Sequence, residues 1–233
     1  MTVTTERDYS KTVIGIVFAK VNAAVSDVQM TNDHPECYNG LVVSTAEYLT
    51  PMQENGASWS RNTYFNWMNS NGYTQAQDTE KYSGYGTTKG MVEINSANVS
   101  DDYGTVYFDL CEPLLQHRSS VEAPEISSGW YLPSYPEMKL LYDNFDAVNA
   151  SIQSVGGTVM TKTYTFTDTT SSTPKDYTKD NQYYCTYVNN GSNWIAFNMN
   201  TSNMVSTGRY INDYWSSTSM PKAEWPVRII LAF

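Results

Sequence analysis

Cys37, Cys111 and Cys185 have the widest chemical range of any side chains in this 233-residue chain. A thiolate can attack a carbonyl, ligate zinc or exchange with a disulfide. Three thiols cannot all pair with one another. They stand 74 residues apart, a spacing that matches no zinc-ligand pattern. They read as three separate thiols, at least two of them buried; one disulfide plus a free thiol is the alternative. His34 and His117 are the only histidines, which argues against a histidine-rich metal site. His117 and Arg118 fall near the end of an expected helix, where a cation complements the helix dipole. That role fits His117 better than ligand or base. Glu137 closes the run Ser134-Tyr135-Pro136-Glu137, which has the S-x-x-E form of a capping box. It reads as a cap and not as a catalytic acid. No G-x-S-x-G, H-E-x-x-H or phosphate loop is present. The chain therefore reads as no enzyme, with no catalytic residue, no cofactor and no metal.

Composition narrows the remaining classes. The net charge is -10 and Lys and Arg form no cluster, which excludes a nucleic-acid backbone as partner. No apolar run is long enough for a transmembrane segment. The opening "MTVTTERDYS" lacks a basic stretch followed by an apolar one, so no secretory signal is visible. Either the signal has been removed, or the chain leaves its cell by another route, such as a virus particle. An apolar share of 40% against 16% charged is enough for a folded core. The polar remainder is Asn, Ser, Thr and Gln with 19 Tyr, a mixture suited to recognition surfaces. It also suits a turn-rich extracellular β protein.

The elements that would position such a surface follow from periodicity. "KTVIGIVFAK" (11–20) is an apolar strand buried on both faces. Asn39-Gly40 turns the chain into "LVVSTAEYL", a second strand. Residues 50–90 are polar, glycine-punctuated and aromatic, an excursion that covers the core, with "RNTYFNWMN" as a short helical turn and Trp59 and Trp67 as anchors. "SDDYGTVYFDLCEPLLQHR" reads as a helix over 101–118, capped by Ser100 or Asp101 and disturbed by Pro113. From 158 onward "TVMTKTYTFTDTT", "QYYCTYV", "WIAFNMN" and "MVSTGRY" read as strands, with "SSTPKDYTKDN" as a loop. "WPVRIILAF" closes the chain as a buried strand that pairs with the first.

The run "SGWYLPSYPEMKLLYDNF" (128–145) joins a strand to a helix with no slack. Pro133 keeps Leu132 extended. The Ser134/Glu137 box starts the helix, a cap worth about 1 kcal/mol. Met138, Leu141, Phe145, Val148, Ile152 and Val155 then line one face of a helix over 134–155 that Gly156-Gly157 stops.

"GWYLPSYPEMKLLY", "YWSST" and the final "VRIILAF" resemble a family of bacterial surface domains. It includes the C-terminal domain of Legionella collagen-like adhesins and the Fibrobacter major paralogous domain, and it is common in Bacteroidales surface proteins. "TVIGIVFAK", "YNGLVVS" and "YSGYGTTKG" look like the front half of the Bacteroidales versions, so the resemblance covers about 11–233. It implies an α+β, C-type-lectin-like fold in one domain, 1–233. Two helices, 101–118 and 134–155, would flank a small antiparallel sheet with paired N- and C-terminal strands. The variable proteins of diversity-generating retroelements, some of them in phages, share this fold and a similar "YWSST". They display changeable residues from their C-terminal part. Here "YWSST" runs almost directly into "WPVRIILAF", so any displayed stretch precedes it.

Three roles are compatible with that resemblance. The first is a non-catalytic binding module, an adhesin or a retroelement-diversified receptor-binding protein. Its ligand-binding residues would be Tyr187, Asn189, Asn190, Asn193, Trp194, Asn198, Tyr210, Asn212 and Asp213, aromatic anchors with adaptable amides. Asn and Gly also favour ordinary turns. The second is a structural subunit of a fimbria or particle. The third is an oxidase of the formylglycine-generating type, which shares the architecture but needs a close pair of late cysteines; Cys185 has no such neighbour. Calcium-dependent lectins carry E-P-N or Q-P-D and W-N-D triplets, whereas Glu112-Pro113 is followed by Leu114, and Asn212-Asp213 is preceded by Ile211. Trp215 reads as core and Arg228 as half of a structural ion pair. The N-x-[ST] sites at Asn98, Asn149, Asn190 and Asn200 arise by chance in such a composition. The expected partner is a protein or glycan on a cell surface, with a homo-oligomer compatible, and the expected location is extracellular, on a bacterial surface or a phage virion.

Overall fold

The computed structural model describes residues 4, 8–51, 61–73, 81–101, 104–105, 107–168, 173–188, 194–206 and 224–233. Of these, 51, 61–65, 101, 104–105, 168, 187–188, 194–196, 204–206 and 224 are described by backbone alone. Trp59, Trp215 and the "YWSST" motif lie outside the described residues.

A three-stranded antiparallel sheet carries the frame. Its strands are β1 (Gly15–Ala19), β2 (Leu41–Ser44) and β12 (Ile230–Ala232), with β2 in the middle. Ile16 stands opposite Val43, and Val43 opposite Ile230. The first and last strands are thus joined in one sheet, through β2. Tyr131 adds one antiparallel bridge to Ile230 on the outer side, so the extended Trp130-Tyr131-Leu132 segment extends the sheet.

Alternation on these strands sorts side chains into two cores. Leu41, Val43, Ile230 and Ala232 join one cluster, and Val42 and Leu231 the other. Both faces of β2 and β12 are therefore buried, as the apolar end of the chain implies. β1 differs from the expectation of burial on both faces. It is an edge strand; Phe18 is buried but Val17 is 40% exposed. Gly15 is needed there, because an added carbon would meet the Val43 carbonyl oxygen at 2.7 Å.

One face of the sheet is covered by α5 (Tyr135–Asp143) and α6 (Phe145–Ser154). The capping box at Ser134 and Glu137 is present. Met138, Leu141, Val148 and Ile152 are buried in the first core, and Phe145 packs against it half-buried. Four such side chains contribute on the order of 10 kcal/mol gross. The single helix expected over 134–155 is two, because the chain breaks at Asn144. Its side-chain amide donates to the Leu140 carbonyl at 3.0 Å, a local bond that competes with helix continuation. Gly156 ends α6 with φ +79°.

The other face is covered by α3 (Gly84–Ala97) and α4 (Cys111–Ser120). α4 is shorter than the expected 101–118 helix. The residues before it form a small hairpin, β4 (Ser100–Asp101) with β5 (Gly104–Thr105). Pro113 then falls in the first helical turn, where its missing N–H matters little, so it kinks nothing. α2 (Arg61–Ser70) and the start of α3 form within the expected excursion of 50–90, the "RNTYFNWMN" turn becoming a ten-residue helix. Trp67 is half-buried against the second core and stacks on Tyr73 at 5.7 Å. A 3-10 turn (Ala23–Ser26) and α1 (Val28–Asp33) form where no helix was expected, with the Asp27 carboxylate accepting from the Met30 amide at 3.1 Å.

"LVVSTAEYL" and "WPVRIILAF" are each two strands. β3 (Tyr48–Pro51) leaves β2 at a corner and pairs with β11 (Glu224–Val227), apart from β12. A second three-stranded sheet has the order β10 (Met204–Ser206), β9 (Trp194–Asn198), β8 (Gln182–Val188). β6 (Thr163–Asp168) forms a hairpin with β7 (Lys175–Asp180), which occupies the expected loop "SSTPKDYTKDN". Cross-strand pairs such as Phe166 on Tyr177, 5.6 Å between rings, stabilise it against its polar composition. Among the described residues the fold is therefore mixed α+β, with six α-helices and small antiparallel sheets.

Candidate functional site

The β8–β9–β10 sheet carries the three described residues of the sequence-predicted ligand set, Tyr187, Trp194 and Asn198. Val188 pairs with Trp194 on its last rung, Tyr187 pairs with Ile195, and Ser206 pairs with the same Ile195. The chain therefore leaves β8, enters β9 and leaves β10 at one end of this sheet. Tyr187 and Trp194 sit on that rim. Segments 189–193 and 207–223 begin there; Asn189, Asn190, Asn193, Tyr210, Asn212 and Asp213 belong to them and lie outside the described residues. Asn198 is elsewhere. It stands at the far end of β9, 7% exposed. Its amide nitrogen donates to Asp180 at 3.0 Å, and its oxygen accepts from the backbone of Asn200 (2.8 Å) and Thr201 (3.0 Å). That side chain builds the β9–β10 turn, and its position at the far end of β9 separates it from Tyr187 and Trp194.

The sheet is held on its inner side. Phe197 is fully buried, with Tyr135 and Tyr142 of α5 at ring distances of 5.7 and 5.9 Å. β8 carries an irregularity between Tyr184 and Tyr187. Within it the Thr186 amide donates to the Pro133 carbonyl at 2.9 Å, tying β8 to the strand-to-helix junction. Cys185 is buried there, and Cys37 and Cys111 are buried elsewhere; none of the three is in a disulfide. Desolvation pushes Cys111 up to about 12 and Cys37 to about 11, so neither is a ready nucleophile.

The buried ionisable groups connect elements. Arg228 is fully buried, and its Nη2 lies 3.0 Å from Glu47 Oε2, the carboxylate partner expected of it. It also donates to the carbonyls of Ala46 (3.1 Å) and Thr158 (2.5 Å). Glu47 accepts from the Tyr183 hydroxyl of β8 at 2.8 Å. This cluster joins the β2–β3 corner, the β11–β12 break and the second sheet. Glu137, 1% exposed, accepts from Tyr131 (2.8 Å) and from the amide and hydroxyl of Ser134 (both 2.6 Å). Burial raises its carboxyl to about 7. His117 bonds Tyr48 through Nδ1 at 2.9 Å and packs edge-on against Trp130, ring centroids 4.6 Å apart; burial lowers it to about 4. The histidine is a core residue of α4, and at that value it carries no charge for the helix dipole at neutral pH. Among the described residues, each of these groups is held by hydrogen bonds or ring contacts that tie one element to another.

A donor set that the sequence spacing did not reveal lies in the turn after α1. His34, Glu36 and Cys37 bring one ligand atom each to within 4.8 Å of one another. The tight turn 34–37 assembles them, and the sequence signal was only their closeness in the run "HPEC".

No family model matches the chain. It is 26% identical over 189 residues to a candidate fimbrium tip subunit, Fim1C, of Bacteroides ovatus, a match that covers 76% of this chain and 33% of that protein. A crystal structure of a fimbrial protein from Bacteroides ovatus has a related fold, with a TM-score of 0.64 at 17% identity over 94% of this chain and 44% of that one. The chain thus spans about a third of the length of the curated relative and under half of the solved structure. No helix among the described residues is long and apolar enough to cross a membrane. The chain is a distant relative, in sequence and in fold, of Bacteroides fimbrial proteins.

Proposed function

We propose that this chain is a domain of a fimbrial subunit on a bacterial surface, placed at or near the fimbrial tip, and that it acts by assembly and adhesion. The similarity to Fim1C over three quarters of the chain carries the reading. Of the two locations compatible with the sequence, the relatives support the bacterial cell over the phage virion. An assembled role implies fimbrial partners. Immunogold electron microscopy of cells that display an epitope-tagged chain tests it. Label at filament ends is expected; label scattered on cells with no filament attached would overturn it.

A ligand-binding role within the tip is the second reading. It is favoured by the shared exit of segments 189–193 and 207–223 from one end of the second sheet, with Tyr187 and Trp194 on the rim. Aromatic side chains with Asn neighbours make strong, adaptable contacts. A C-type-lectin-like organisation, in which joined first and last strands brace loops for display, is part of this second reading. The union of β1 and β12 through β2 supports it.

A further inference from the structure

The turn that follows α1 is closely fixed. The His34 amide donates to the Met30 carbonyl at 2.7 Å, the Cys37 amide to His34 at 3.0 Å, and the Tyr38 amide to Glu36 at 3.0 Å. Asn39 and Gly40 both donate to the Phe233 carbonyl, at 2.7 and 3.2 Å. The backbone that carries the three donors is therefore set by the fold. His34 Nδ1 is 3.8 Å from Glu36 Oε1. Tetrahedral zinc, with bonds of about 2.0 to 2.3 Å, places its ligand atoms about 3.3 to 3.8 Å apart. Nitrogen and oxygen ligands fall at the short end of that range, so the His–Glu pair needs to close by about 0.4 Å and the full set to contract by about 1 Å, within reach of side-chain rotation. Access also fits. The Glu36 side chain is 50% exposed and that of His34 26%, while Cys37 is buried behind them. An ion can arrive from solvent with a water left on the fourth position.

We propose that His34, Glu36 and Cys37 form a binding site for one zinc-class divalent cation. One imidazole, one carboxylate and one thiolate is a borderline-soft donor set. It selects zinc over calcium or magnesium, which take oxygen ligands alone. On binding, the Cys37 Sγ–H bond breaks, its electron pair goes to the metal, and the proton leaves to solvent. The thiol gives up its bond to the Ala232 carbonyl, 3.4 Å away. Because the same turn grips the Phe233 carbonyl and Ala232 belongs to β12, the bound ion clamps the turn to the last strand of the central sheet.

The test uses the full chain and the metal alone. Isothermal titration with zinc chloride is expected to give one site per chain and a raised melting temperature. Cobalt(II) is expected to give the near-ultraviolet charge-transfer band of a thiolate complex. His34→Gln and Cys37→Ser are each expected to weaken zinc by more than about 100-fold, beyond the effect typical of outer-shell changes. His34→Gln guards against a folding defect in Cys37→Ser. Absence of a one-to-one heat signal and of the cobalt band overturns the site, as does binding undiminished in both variants.

Discussion

Arg228 and Glu47 meet at 3.0 Å with the guanidinium wholly out of solvent. The pair bridges the corner that separates β2 from β3 and the break that separates β11 from β12. Removing one partner of such a pair leaves the other charge buried and uncompensated. Arg228→Ala is expected to cost about 3 to 5 kcal/mol in a urea denaturation series. Glu47→Gln keeps an acceptor for Tyr183 and should cost less. Equal, small losses in both variants would show that the pair does not hold the corner.

His117 gives stability a dependence on acid. Its folded value, about 4, lies below the usual 6.5. Its contribution is therefore present above pH 6.5 and is lost as pH falls toward 4, about 3 kcal/mol at the limit. His117→Gln is expected to flatten that part of the stability-against-pH curve relative to the parent. A slope that is the same in both proteins over that window contradicts the assignment.

Glu137 acts in the opposite sense. Its folded value, about 7, lies above the usual 4.5. Its stabilising share is complete below pH 4.5 and is lost as pH rises through 7, again about 3 kcal/mol. Glu137→Gln should therefore narrow the difference between urea midpoints at pH 5 and pH 8. Ser134→Ala, which removes the cap hydroxyl, is expected to cost about 1 kcal/mol or more at both pH values.

Gly84 begins α3 against the strand-to-helix junction. An added carbon there would meet the Leu132 carbonyl oxygen at 2.6 Å and press on the Glu137 carboxylate. Gly84→Ala should lower stability by about 1 to 3 kcal/mol, although alanine is the better helix former. A melting temperature equal to or above the parent's would mean that α3 can shift away freely.

The adhesive patch is tested on arrays of glycans and host proteins. Trp194→Ala and Tyr210→Ala are expected to weaken any ligand by about tenfold or more, as loss of an aromatic anchor does, with unfolding midpoints little changed. Binding that survives both substitutions rejects the patch. Asn198→Ala is expected to behave differently and to cost stability, because its amide holds a turn.

Parts of this fold were legible where neighbouring residues decide the outcome. Pro133, Ser134 and Glu137 set the junction by steric restriction and capping, both complete within five residues. Met138, Leu141, Val148 and Ile152 mark a buried face by spacing alone. The helix break at Asn144 was missed, because whether an Asn side chain bonds its own helix is a close local competition. α3 was hidden by Gly84, Gly86 and Gly90, which disfavour helix. Each is small for a distant reason. Gly86 gives its amide to Asp27 at 2.8 Å, Gly90 lies against Met68, and Gly84 against Leu132.

The candidate sites divide in the same way. The sequence identified Tyr187 and Trp194 by type, but β-ladder register alone places them on one rim and puts Asn198 at the other end. Sequence by itself determined the acidic, tyrosine-rich character, the capped junction and the need of Arg228 for a carboxylate. Tertiary structure alone decided which carboxylate that is, which strands flank β2, and that the turn 34–37 gathers three metal donors. The reason is physical: caps, turns and periodic faces depend on contacts a few residues apart, whereas register, edge position and close backbone approach depend on residues far away in the chain.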